Sequence, residues 1–200
     1  MAARSWMDIV AENPDHSSWY VERFRTMAAN GDDLDGEARF VDALVPRGAR
    51  ILDAGCGPGR VGGALHRRGH EVVGVDVDPV LIEAAEQDHP GPTWLVGDLA
   101  QLDLAGRGVE AAFDVIVCTG NVVTFVPDDD RRAALDGMAR HVADDGRIAI
   151  GFGDHRGYGF DEFRADVAAA GLEVDLELST WDVRPFREGS DFMVALLRRP

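Results

Sequence analysis

Residues Ile51 to Arg60 read ILDAGCGPGR, and this stretch decides the fold. Ile51 and Leu52 end an apolar run of buried-strand character, and Asp53 puts an acid at its carboxyl end. Gly55, Gly57 and Gly59 then alternate with Cys56 and Pro58. Glycines this dense let the backbone turn through angles closed to other residues and come close to a ligand. A helical pattern follows over residues 60–68, with Val61, Ala64 and Leu65 as its apolar members. Such a turn between strand and helix offers free N–H groups and the positive end of a helix dipole to a bound molecule.

Two registers fit the glycines. Gly57, Gly59 and Gly62 match G-x-G-x-x-G, the dinucleotide fingerprint, which would make the chain an NAD(P)-dependent oxidoreductase. That match starts after the turn has already begun. Asp53, Gly55, Gly57 and Gly59 match acid-x-G-x-G-x-G in register with the strand end. In this second register the sequence resembles the class I S-adenosylmethionine-dependent methyltransferases. The acid suits that cofactor, which carries an ammonium group and no phosphate, whereas it would repel a pyrophosphate. Asp53, Gly55, Cys56, Gly57 and Gly59 are therefore expected to bind cofactor.

Working outward, EVVGVD over residues 71–76 is a second strand ending in an acid. Asp76 stands at about the spacing from the glycine turn expected of a carboxylate that reaches ribose hydroxyls. Asp78 and Pro79 open a helix, and Thr93–Val96 is a short third strand that runs into Gly97-Asp98-Leu99. Asp53, Asp76 and Asp98 thus close three successive strands at nearly equal intervals. The resemblance implies that Val77 lies on the adenine, that Asp98 accepts from its amino group and that Leu99 contacts the ring.

FDVIVC over residues 113–118 has the continuous apolar character of a central parallel strand. By the resemblance, the loop after it lies near the transferred methyl. Thr119 is expected at the cofactor, and Asn121, Thr124 and Phe125 at the substrate. Enzymes of the family that methylate nucleic-acid amino groups carry Pro-Pro after an Asn or Asp here. Asn121 is followed by Val122 and Val123, which argues against that subclass.

The remaining pattern completes an α/β chain. A helix is expected over residues 128–143, terminated by Asp144-Asp145-Gly146, then a strand over 147–152 and a helix over 161–170. Two strand-like runs, 172–183 and 191–198, close the chain without a helix between them and imply an antiparallel hairpin. The family's fold has that ending: a three-layer, Rossmann-like, seven-stranded sheet of order 3-2-1-4-5-7-6 with strand 7 antiparallel. Before the core, residues 17–30 and roughly 34–44 read as helices. Residues 1–47 are expected to form a helical lid segment and residues 48–200 the cofactor-binding core of a single domain. Tyr20, Phe24 and Arg25 are the candidate lid residues that touch substrate, alongside Trp19 in the same stripe.

Composition narrows the partners. The net charge is −16, with 36 acids against 20 arginines and no lysine, which opposes nucleic-acid binding because that depends on basic patches. No apolar run approaches the roughly 20 residues that span a bilayer. The opening MAARSWMDIVAENPD lacks the apolar segment of a secretory signal, so a cytoplasmic protein with a small-molecule substrate is expected. Cys56 and Cys118 form no C-x-x-C pair and read as packing residues, and no Asp/His cluster has metal-ligand spacing. Should the acceptor need a base, His155, in the loop after the fifth core strand, is the candidate, with His16 behind it. The implied chemistry is transfer of the S-adenosylmethionine methyl to an O, N or C nucleophile, leaving S-adenosylhomocysteine. A non-catalytic module that binds the cofactor is the alternative from another class.

Overall fold

The computed structural model describes residues 4–110 and 112–200, the side chain of His155 excepted. Strands β1 (Arg50–Ala54), β2 (Glu71–Asp76), β3 (Thr93–Val96), β4 (Phe113–Cys118), β5 (Val142–Gly153), β6 (Glu173–Leu178) and β7 (Phe192–Arg198) form one sheet. Its order is β3-β2-β1-β4-β5-β7-β6. Strands β1 to β5 pair in parallel, and β7 runs antiparallel to both β5 and β6, as the expected fold requires.

Alternation along the strands builds two cores. Leu52, Ile116 and Ile148 point to one face, against Leu135 and Met138 of α6 (Arg131–His141) and Phe163 of α7 (Phe160–Ala169). Their neighbours Ile51, Val115 and Ala149 point to the other, against Val41 of α3 (Gly36–Asp42) and Leu65 of α4 (Arg60–Arg67). Burial on both faces is why the central strands read as continuous apolar runs. Helix α5 (Pro79–Asp88) packs beside β3 through Ile82, Ala85 and Trp94.

Three elements differ from the sequence expectation. The Asp144-Asp145-Gly146 run lies inside β5: Phe113 pairs with Val142 and Val115 with Arg147, so the expected turn is a bulge that the strand absorbs. The preceding helix starts at Arg131, because Asp128–Asp130 form a separate single turn. Residues Trp6–Glu12 form α1, a helix not expected from the sequence, ahead of α2 (His16–Ala29). Ser5 caps α1 by accepting from the N–H of Asp8, whose carboxylate accepts from Ser5 in return.

Candidate functional site

The carboxyl ends of β1, β2 and β4 open onto a cavity of about 290 Å³, and α1 and α2 form its far wall. This is the edge at which open α/β sheets bind ligands. The floor is the glycine turn. The N–H groups of Gly55 and Cys56 both donate to the Val75 carbonyl, at 2.8 and 3.0 Å, which ties the turn to β2. Gly55 has φ +77°, and a Cβ there would lie 2.3 Å from a Val122 methyl, so both backbone angle and space demand glycine.

Asp76 sits at the rim. One carboxylate oxygen accepts the N–H of Gly57 at 2.8 Å and the other the N–H of Asp78 at 3.0 Å. Burial outweighs these bonds and pushes its pKa up to about 6. Val77 beside it is 38% exposed, leaving an apolar surface open to the cavity. Asp98 accepts the Ala100 N–H at 2.9 Å and lines the cavity together with Leu99. Gly55, Cys56, Gly57 and Thr119 complete the cofactor residues expected from sequence that line it.

Asp53 and Gly59 stand behind the lining. Asp53 is buried under the turn, and its carboxylate accepts the Gly62 N–H at 2.8 Å, holding the first turn of α4. Burial pushes its pKa up to about 7. Gly59 is the left-handed cap that starts α4. Cys56 and Cys118 are buried, and burial raises both thiols, as suits packing residues.

The opposite wall is aromatic. Tyr20 and Phe24 from α2 line the cavity in edge contact with each other at 5.0 Å, and Phe125 lines it from the loop after β4. Trp6, which the sequence reading missed, makes edge contacts with Tyr20 at 5.1 Å and Phe125 at 5.9 Å and joins the lining with Ser5 and Met7. Arg60 also reaches it, with its guanidinium 5.5 Å from the Phe24 ring and paired with Glu37.

Other expected substrate residues lie elsewhere. Arg25 pairs with Asp88 and Glu22 on the outer side of α2, away from the cavity. Asn121 takes a left-handed backbone (φ +66°) and accepts the Gly153 N–H at 2.9 Å, splinting the β4 loop to β5. Thr124 is buried, and its hydroxyl donates to the Asn121 carbonyl at 2.7 Å. His155 belongs to the turn Asp154–Arg156, and its side chain lies outside the described residues. His16 is stacked on Trp19 at 5.5 Å. No histidine lines the cavity among the described residues, and none of their His, Cys, Asp and Glu side chains cluster in a way that could hold a metal.

The donor set discriminates between cofactors. Carboxylates at the rim and the apolar surface of Val77 and Leu99 suit a nucleoside, whose hydroxyl and amino donors need acceptors, and oppose a pyrophosphate. The Gly57 N–H that a phosphate would need is held by Asp76. Comparison with known proteins agrees. A family profile described as a methyltransferase domain matches residues 51–146. The crystal structure of a TehB-like SAM-dependent methyltransferase from Corynebacterium glutamicum superposes with a TM-score of 0.89 at 47% identity, covering 94% of this chain and 100% of that one.

The chain belongs to the S-adenosylmethionine-dependent methyltransferases. Among curated members of the family, a methyltransferase of Mycobacterium tuberculosis is 34% identical over 114 residues, 56% of this chain and 54% of that protein. The magnesium-protoporphyrin O-methyltransferase of Rhodobacter capsulatus is 34% identical over 112 residues, 53% of this chain and 46% of that protein. The chain thus spans about half the length of the curated relatives it matches. S-adenosylmethionine is the cofactor of this family, and the dinucleotide reading is not favoured. In this methyltransferase Gly62 serves packing: a Cβ there would meet the Trp94 ring at 2.8 Å.

Proposed function

We propose that this methyltransferase transfers the methyl of S-adenosylmethionine to an O, N or C nucleophile of a small-molecule acceptor. The observation that carries this reading is the pairing of rim carboxylates with an aromatic wall across one cavity of about 290 Å³. When bound, S-adenosylmethionine supplies an electrophilic methyl on a sulfonium and leaves as S-adenosylhomocysteine. Asp76 would accept from the ribose hydroxyls, Asp98 from the adenine amino group, and Val77 and Leu99 would give the adenine an apolar surface. The glycine turn of Gly55 to Gly59, with Cys56 inside it, would take the amino-acid end, beside Thr119.

Tyr20, Phe24, Trp6 and Phe125 exclude water and orient the acceptor. Holding a nucleophile in line supplies about 7–11 kcal/mol in well-oriented systems, so the chemistry asks little else of the protein. His155, after β5 in the chain, is the candidate base for an acceptor that must lose a proton. The net charge of −16 opposes nucleic acid, and the R. capsulatus relative is named for a small-molecule acceptor. No helix among the described residues is long and apolar enough to cross a membrane, and both cysteines are unpaired, which supports the cytoplasm.

The test is incubation of the purified protein with S-adenosylmethionine and the small-molecule fraction of a cell extract, reading S-adenosylhomocysteine formed. Turnover that disappears in Asp76→Ala supports the reading. Binding of S-adenosylhomocysteine with no turnover in any fraction would leave a cofactor-binding module instead of an enzyme.

A further inference from the structure

We propose that Trp6 and Asp78 are positioning residues whose hydrogen bond latches α1 over the cofactor cavity and couples closure of that helix to cofactor binding. The proposal rests on the cofactor reading above and deepens it. Asp78 is buried, and as the N-cap of α5 it needs only one oxygen: Oδ1 accepts the Val80 N–H at 2.9 Å. Its other oxygen, Oδ2, accepts the indole N–H of Trp6 at 2.7 Å and the hydroxyl of Ser17. Both donors come from the N-terminal segment, 72 and 61 residues earlier in the chain. The Asp78 N–H in turn donates to Asp76 at 3.0 Å, and Asp76 holds the Gly57 N–H. One carboxylate therefore joins α1 and α2 to the loop that carries the ribose acid.

Helix α1 is held by half-buried side chains and by Trp6, which packs on Val21, Leu81 and Ala84. It is seven residues long, too short to persist alone, and none of its described residues is fully buried. Ile9 and Val10 are half-buried, and Trp6 ties the helix on through ring contacts with His16, Tyr20 and Phe125 and through the indole bond to Asp78. Yet Ser5, Trp6 and Met7 are part of the cavity wall. A molecule filling the cavity touches α1 only when the helix is closed, so it favours the latched state. By linkage the latch favours that molecule to the same degree. A neutral donor on a buried carboxylate is a strong hydrogen bond, which makes Trp6 the point where this coupling concentrates.

The test is calorimetric titration with S-adenosylhomocysteine of the wild type, Trp6→Phe, Asp78→Asn and the double variant. Phenylalanine keeps the ring contacts and loses the indole N–H. Asparagine keeps a capping oxygen for Val80, and Ser17 can reverse its hydroxyl to accept from the new amide, whereas the indole cannot. Each single variant is expected to bind about tenfold more weakly, and the double variant no more weakly than either. A Trp6→Phe protein with wild-type affinity, or a double variant that loses the product of the two single effects, overturns the latch. Should a variant not fold, the wild type answers through hydrogen exchange of the Trp6 indole proton. Exchange is expected to slow about tenfold when S-adenosylhomocysteine is added, and an unchanged rate overturns the latch. A wild type that does not bind S-adenosylhomocysteine overturns the cofactor reading itself, which separates the two failures.

Discussion

The carboxylate of Asp76 accepts the backbone N–H of Gly57 at 2.8 Å, so the end of β2 holds the glycine turn that follows β1. The same group is the proposed ribose acceptor, which makes turn geometry and cofactor affinity depend on one side chain. Hydrogen bonds to a charged acceptor contribute about 1.5–3 kcal/mol. Asp76→Ala is therefore expected to weaken S-adenosylhomocysteine binding by about 10- to 100-fold in calorimetry, and unchanged affinity would remove Asp76 from the site. Burial raises the Asp76 pKa to about 6, and ribose hydroxyls prefer the ionised form. Affinity should consequently fall as pH drops through about 6.

Asp53 sets a pH dependence of folding. Its pKa in the folded chain is about 7, above the ordinary value of 3.8, because burial penalises the charge. Between those values the folded state keeps a proton that the unfolded state releases, so stability falls as pH rises through this window. The contribution is on the order of 4 kcal/mol over the whole range, with Asp76 acting in the same direction up to about pH 6. Asp53→Asn stays neutral and keeps an oxygen for the Gly62 N–H. Thermal melts of the cofactor-free protein from about pH 4.5 to about pH 8 should show a flatter profile for the variant. Identical slopes would exclude Asp53 as the source.

What the sequence disclosed and what it hid follow one physical division. The strand ends at Asp53, Asp76 and Asp98 were legible because local pattern alone marks them: an apolar run, an acid, a turn. The sheet order followed from the resemblance and the closing pair of strands. Helix α1 was not legible, since its position depends on Trp6 meeting an acid 72 residues away. Its one local signal was the capping pair Ser5 and Asp8. Asn121 and Thr124 read as site residues because, by the resemblance, the loop after β4 lies near the transferred methyl. Their actual partners are backbone groups of Gly153 and Asn121, which local sequence does not reveal.

Gly55→Ala combines two penalties. The left-handed backbone costs a non-glycine residue roughly 1–2 kcal/mol, and overpacking against Val122 adds about 1–3 kcal/mol. A loss of about 2–5 kcal/mol is expected in urea unfolding, with weaker cofactor binding because the turn shifts. Gly55→Ala/Val122→Ala opens the space and leaves the backbone strain. It should recover part of the loss attributable to the clash, after allowance for what Val122→Ala costs alone. Full loss in the double variant would show that backbone angle alone demands glycine.

Arg60 joins the two halves of the cavity wall. Its guanidinium donates to Glu37 at 2.6 and 2.8 Å and also to the Leu34 carbonyl, tying α4 to the connection between α2 and α3. The two side chains are 17% and 19% exposed, so water screens the pair little. Burial alone would raise the Glu37 pKa, but the bonds and charge of Arg60 hold it below the ordinary value. Removing one partner of a buried pair is strongly destabilising because it strands the other charge, whereas removing both can be nearly neutral. Arg60→Met is therefore expected to lower stability by about 2–4 kcal/mol at pH 7 in urea unfolding, the partial exposure keeping it toward the low end. Arg60→Met/Glu37→Gln should recover more than half of that loss, since no buried charge remains. If the double variant is as unstable as Arg60→Met, the loss comes from the guanidinium's packing on Phe24 and its bond to Leu34, and the ion pair is incidental.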